Sequence, residues 1–146
     1  MEYTIRKMCS EDIPAVARLE KDTFTEPWSE QSFASELINP QATIVVCECD
    51  GNVVGFADMR EICSECYINN VAVAEGFRSN GIGRALMEAL HSACSQDAEF
   101  ITLEVRESNS VAIDMYRKLG YIKVGVRKDF YRQPTENACL MTKPLK

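Results

Sequence analysis

Apolar and polar positions along the chain change period several times, and the changes mark out its elements. YTIRKM alternates like a short strand, after which Ser10 reads as the N-cap of a helix carrying Glu11, Asp12 and Pro14 in its first turn. The apolar positions Ile13, Val16 and Ala17 share one face of that helix, with Phe24 near its end. Pro27-Trp28-Ser29 interrupts the pattern, and Ser29 suits the cap of a second short helix that stops before Asn39-Pro40. Ala42–Cys49 and Val53–Met59 flank Asp50-Gly51-Asn52, a hairpin signal, and Cys66–Val73 is a third β-type run. Gly83–Cys94 switches to helical period, with Leu86, Leu90, Ala93 and Cys94 along one side. Phe100–Val105 returns to strand. Ser110–Leu119 is helical, with Gly120 where a C-cap belongs, and Tyr121–Arg127 and Ala138–Thr142 close the chain as strands. The order β-α-α-β-β-β-α-β-α-β-β predicts an α/β (α+β) fold, a mixed sheet flanked by helices.

At 146 residues, with no repeat, linker or low-complexity tract, residues 1–146 are expected to form a single domain. Sixteen Lys and Arg against 22 Asp and Glu give a net charge of −6, which argues against direct nucleic-acid binding. The chain has no apolar run long enough for a membrane span, and MEYTIRK lacks a signal-peptide core, so a cytoplasmic protein without membrane contact is expected. Seven cysteines at irregular spacing read as free thiols in a reducing compartment. Cys63-x-x-Cys66 with Cys47-x-Cys49 could frame a zinc site or a redox pair, but one C-x-x-C is a weak signal and Cys47 and Cys49 share a core-like strand face, so a hairpin loop with two thiols and no metal is expected. With His91 the only histidine, histidine-based triads lack material.

The stretch GFRSNGIGRALM carries three glycines just before a helix. Gly76 and Gly81 have the spacing of a Walker loop, but Ile82-Gly83 stands where Lys and Ser/Thr are required. The third glycine of a dinucleotide fingerprint would fall at Leu86. What remains is a strand, Arg78-x-x-Gly81-x-Gly83 and a helix. That arrangement suits either a tight turn with no ligand or a nest of backbone N–H groups for a pyrophosphate.

VAVAEGFRSNGIGRALM resembles the acetyl-CoA motif of the GNAT superfamily of N-acetyltransferases, in which R/Q-x-x-G-x-G/A cradles the CoA pyrophosphate. The element order is similar too, so the likeness covers nearly the whole chain and implies the largely antiparallel GNAT sheet. Glu75, where a proline is common, and Ser79, in place of a frequent Arg or Gly, depart from the motif without removing a backbone donor. The resemblance implies cofactor contacts from Val71, Ala72 and Val73 and from Arg78, Ser79, Asn80, Gly81, Ile82, Gly83 and Arg84. Pro27-Trp28-Ser29 with Phe33, ECYINNVAV from Glu65, and LEVRESNSVAIDMYRKLGY from Leu103 are most similar to the bacterial ribosomal-protein alanine N-acetyltransferases (the RimI type).

That family's pattern implies Glu104 as general base, Tyr116 as general acid and Asn109 as a cofactor contact. It also implies acetyl-CoA as acetyl donor and an N-terminal segment of a ribosomal protein as acceptor; separately, a monomer is expected. The residues suit this chemistry. A peptide α-amine with a pKa of about 7.7–8.0 needs only a modest base, a role that partial burial of Glu104 would favour. A phenol near 10 can protonate a leaving thiolate, with the Val73 N–H as oxyanion donor. Glu26, Trp28, Glu65 and Tyr131 are candidate walls of the acceptor groove. The alternatives are acetylation of a lysine side chain or small amine, and a CoA-binding regulatory module without catalysis.

Overall fold

Two hairpin turns made of left-handed residues set up the middle of the sheet. In the computed structural model, which describes residues 1–146, β2 (Ala42–Cys49) joins β3 (Asn52–Ile62) through Asp50 and Gly51, at φ +51° and +80°. Positive φ at both central residues is what a two-residue type I′ turn requires, and its twist matches that of the strands. β3 joins β4 (Glu65–Val73) through Cys63 and Ser64, at φ +51° and +68°. The C-x-x-C spacing is therefore a turn, with Cys63 at its exposed tip and Cys66 buried in the strand.

β1 (Thr4–Lys7), α1 (Ile13–Thr23) and α2 (Glu30–Leu37) precede this unit. α3 (Ile82–Ala93), β5 (Phe100–Arg106), α4 (Ser110–Lys118), β6 (Ile122–Tyr131) and β7 (Glu136–Pro144) follow it. The predicted order of elements is the observed one. The strands form one sheet in the order β1-β2-β3-β4-β5-β7-β6, antiparallel except for β4 beside β5.

Ser29 caps α2 as expected, accepting from the Ser32 N–H at 3.1 Å. Ser10 does not cap α1: a 3-10 turn over Ser10–Asp12 comes first, with Cys9 at the cap position. There the Asp12 carboxylate takes both the Cys9 N–H at 2.8 Å and the Arg6 guanidinium at 2.8 and 2.9 Å, so a carboxylate replaces the hydroxyl. β6 also outruns its predicted end at Arg127, because an irregular step around left-handed Asp129 lets pairing resume at Tyr131.

Strand alternation divides the core in two. Leu86, Met87 and Leu90 of α3 pack with Ile101, Leu103 and Met141 on one face. Val16, Leu19 and Phe33 of α1 and α2 pack with Val46, Phe56 and Ala72 on the other. Burying each large apolar side chain contributes about 1.5–3 kcal/mol, which fixes both helix pairs to the sheet.

Between these layers the sheet comes apart. β4 and β5 pair only from Glu65–Tyr67 to Phe100–Thr102. Opposite β3 the register steps from Met59↔Ile68 to Asp58↔Asn70, leaving Asn69 as the extra residue of a bulge. A bulge bends its strand. Beyond it β4 runs on to Val73 beside β3 while β5 runs on to Arg106 beside β7, and a gap opens between them.

The α1/α2 face under this gap holds buried carboxyls. Glu36 receives Arg60 through Nε and Nη2 at 2.6–3.1 Å. Asp58 is fully buried, and neither of its oxygens has a hydrogen-bond partner. Burial, and then neighbouring Glu36, push its carboxyl from an ordinary 3.8 up to about 8. Because the folded value lies above the unfolded one, the stability that Asp58 contributes is complete below about pH 4 and is lost as pH rises towards about 8. The advantage of D58N over the wild type should therefore grow with pH through this window and then level off, as read by urea unfolding at about pH 5, 7 and 9. A pH-independent difference would contradict a protonated Asp58.

Candidate active site

Amides along a strand point alternately to its two sides. The Ala74 N–H donates to the Val54 carbonyl of β3 at 2.8 Å, so the N–H and C=O groups of Val73 and Val71 face the other way, into the gap. Ala72 differs from its neighbours: its main chain faces β3 and its side chain lies in the α1/α2 core. At the rim Arg78 Nε donates to the Val73 carbonyl at 3.0 Å, drawing the following loop over the end of β4.

That loop ends on an uncapped helix. Ser79 and Gly81 have φ of +66° and +79°, and no side chain caps α3 at Gly81. The first N–H groups of a helix have no intrahelical acceptor, so those of Ile82, Gly83 and Arg84 are left together with the positive end of the helix dipole. Asn80 shapes the loop instead, its Nδ2 donating to the carbonyls of Phe77 at 3.2 Å and Arg78 at 3.1 Å. The Arg84 side chain pairs with Glu88 at 3.0 Å. A Cβ on Gly83 would come within 3.2 Å of Met115 Sδ, so glycine here also lets α4 lie close. Main-chain donors, two left-handed residues and no competing cap fit a pyrophosphate bound without metal.

Glu104 and Tyr116 lie on opposite faces of the sheet. Ile101, Leu103 and Val105 point into the α3/α4 core, which puts Glu104 on the α1/α2 face. Its side chain is 32% exposed and lies 3.4 Å from Arg127 Nε, so it is an accessible, ion-paired carboxylate rather than a desolvated one. Tyr116 comes from α4 within the α3/α4 core, its ring 5.7 Å from that of Tyr121, whose hydroxyl is 2.8 Å from His91 Nε2. The Tyr116 hydroxyl has no hydrogen bond to protein and keeps contact with solvent. Burial holds its phenol above the ordinary range, and Tyr131 adds to the effect.

Tyr131 is close enough to feel the Glu104 charge and to influence Tyr116. Burial, and then the Glu104 charge, raise its phenol to about 12. The Arg106 guanidinium lies 4.5 Å over its ring and is held by the carbonyls of Pro134 and Arg132, each at 3.0 Å, and by Glu136 at 3.1 Å. Arg106 is the arginine of the L-E-V-R run. Sequence reasoning passed over it, although its place in that motif was the signal.

The remaining candidates are more dispersed. Asn109 caps α4, accepting from the Ala112 N–H at 3.2 Å, with its amide NH2 left for another partner. Trp28 packs on Phe33 with ring centroids 5.4 Å apart and belongs largely to the α1/α2 core. Glu26 is exposed in the α1–α2 loop, which touches the β6–β7 loop where Thr25 Oγ1 meets the Arg132 carbonyl at 3.2 Å. Glu65 lies at the closed end of the gap and accepts from the Tyr67 hydroxyl at 2.9 Å. Cys47 and Cys49 are core residues of β2, and no cluster of three or more His, Cys, Asp or Glu side chains is placed to hold a metal ion.

The acetyltransferase (GNAT) family matches residues 13–121, from the start of α1 to Tyr121. This chain belongs to the GNAT family. As a GNAT member it is an N-acetyltransferase with acetyl-CoA as acetyl donor. Among its relatives, a Bacillus subtilis (strain 168) protein provisionally named a [ribosomal protein bS18]-alanine N-acetyltransferase is 35% identical over 94% of this chain and 92% of its own length. An N-alpha-acetyltransferase of Sulfurisphaera tokodaii is 33% identical over 99% of this chain and 94% of its own. The crystal structure of the ribosomal-protein-S18-alanine N-acetyltransferase from Escherichia coli superposes with a TM-score of 0.90 at 30% identity, covering 99% of this chain and 95% of that one.

In this GNAT protein the two loop glycines separate by conformation. G81A forces a left-handed non-glycine and should cost about 1–2 kcal/mol in urea unfolding while weakening acetyl-CoA binding. G76A, which has open space around it, should change stability by about 0.5 kcal/mol or less and leave binding intact. Equal effects at both positions would contradict the cradle.

Proposed function

We propose that this protein acetylates the α-amine of a ribosomal protein chain that begins with alanine, using acetyl-CoA. The observation that carries the reading is that Glu104 and Tyr116 lie on opposite faces of a sheet whose β4–β5 gap is faced by the Val71 and Val73 main-chain groups. Donor and acceptor then enter from different sides. Names of relatives that cover almost the whole chain supply the acceptor class.

Acetyl-CoA supplies a thioester carbonyl and a thiolate leaving group. On the acceptor face Glu104 takes a proton from the attacking amine through water. A peptide terminus with a pKa of about 7.7–8.0 is partly neutral beforehand, so a half-buried but accessible carboxylate is base enough. The outward Val73 N–H is the donor placed to stabilise negative charge on the carbonyl oxygen. On the other face burial keeps Tyr116 protonated, and its phenol can give a proton to a thiolate of ordinary pKa about 8.5. The uncapped start of α3 and the Asn109 amide bind the rest of the donor. Glu26, Trp28 and Tyr131 flank the acceptor, and Glu65 lies beyond them at the closed end. The reading takes residues 1–146 as one catalytic domain, a cytoplasmic monomer that needs neither metal, nucleic acid nor membrane.

Mass spectrometry of a panel incubated with acetyl-CoA tests the acceptor: peptides beginning with Ala should gain an acetyl group on the terminus. Modification of lysine or polyamines alone would move the protein to the other acceptor class. Y116F should lower kcat about 100-fold while acetyl-CoA affinity stays within about twofold. Unchanged turnover would remove Tyr116 as the acid. Because the Tyr116 phenol is raised, not lowered, the rate should climb between about pH 7 and 9 as the amine deprotonates, with no fall from tyrosine ionisation.

A further inference from the structure

Glu20 is only 2% exposed, yet its hydrogen bonds run to two other elements. Its Oε2 accepts the Trp28 main-chain N–H at 3.0 Å, and Asn70 Nδ2 donates to both of its carboxylate oxygens at 3.0 Å each. Trp28 lies in the loop between α1 and α2. Asn70 is the first residue of β4 back in register with β3 after the Asn69 bulge, where the strand has already left β5. Val16 and Leu19 anchor the Glu20 end of α1 in the core. One side chain on a fixed helix therefore holds the loop and the splayed half-strand at a set separation. Apart from Arg60 lying 5.9 Å over the Trp28 ring, the only other polar side-chain link from that loop to a distant element is the exposed contact of Thr25 with Arg132.

Glu20 is a costly way to fill this space. Burial pushes its carboxyl upward, and the Trp28 N–H and Asn70 amide only partly offset that. An apolar side chain of similar volume would avoid the desolvation cost. It would not tie loop to strand.

We propose that Glu20 is a positioning residue for the acceptor: it sets the width of the slot between the α1–α2 loop and the splayed half of β4. The proposal rests on the reading that the acceptor enters on the α1/α2 face, where Glu104 lies. Glu20 acts through Trp28 and Asn70, and it affects acceptor binding rather than the cofactor cradle or the proton transfers.

Three variants test it. E20M keeps the volume and removes both acceptor oxygens. E20Q keeps an oxygen for the Trp28 N–H, and its NH2 can meet the Asn70 oxygen once that amide turns over. N70A cuts the same link from the strand side. With a peptide acceptor, E20M and N70A should each raise the peptide KM about tenfold or more, with kcat within about threefold. Acetyl-CoA Kd by calorimetry should stay within about twofold, and E20Q should stay within about threefold of wild type throughout.

Because E20M and N70A break one link, the double variant should have a peptide KM within about twofold of the worse single variant. A peptide KM that moves less than about twofold in both single variants would overturn the proposal, as would multiplying effects or a parallel loss of acetyl-CoA affinity. If E20M does not fold, the N70A comparison decides alone. If the wild type acetylates lysine or a polyamine and no peptide terminus, the proposed acceptor fails, and the same KM comparison on that amine decides the role of Glu20.

Discussion

Strands β4 and β5 are the only parallel neighbours in the sheet, and they pair over three positions before separating at the Asn69 bulge. The other features of the site depend on that separation. It leaves the Val71 and Val73 amides without strand partners, and it gives the two faces of the sheet a common opening. With a continuous ladder between β4 and β5, Glu104 and Tyr116 would be on opposite sides of a closed sheet.

The two faces are chemically different, and the difference follows from what each covers. The α3/α4 side is an aliphatic core that raises the phenols of Tyr116 and Tyr121 by desolvation and lowers the His91 imidazole to about 4. The α1/α2 side includes the buried carboxyls Glu20, Glu36 and Asp58. Two of them are held by polar partners, and Asp58 has none. Buried polar groups of this kind cost stability relative to apolar packing, and they fix geometry through direction and length where apolar contacts do not. In the proposed reading the polar face is the one that aligns the acceptor chain.

Much of the fold was legible from periodicity. Helical and strand periods, the Asp50-Gly51 turn, the Ser29 cap and Gly120 beyond α4 each correspond to a local preference that tertiary contacts did not override. Ser10 misled because the Asp12 carboxylate two residues on, itself held by Arg6 of β1, outcompeted the local hydroxyl. The end of β6 was missed for a similar reason: pairing with β7 resumes after an irregular step that no residue pattern announces.

By itself the sequence determined the elements, their order, the glycine cradle and the L-E-V-R…S-N…Y frame, because each is encoded within a few turns of chain. The tertiary structure alone decided how those parts meet. The bulge at Asn69 is defined only against β3, the gap beside Val71 and Val73 opens only because β4 leaves β5, and Arg106 reaches Tyr131 across a hairpin. Glu20 was invisible as a functional candidate, since a lone glutamate on an amphipathic helix looks solvated. Its importance comes from a backbone N–H eight residues away and an amide fifty residues away, and such long-range pairings form only when the chain is folded.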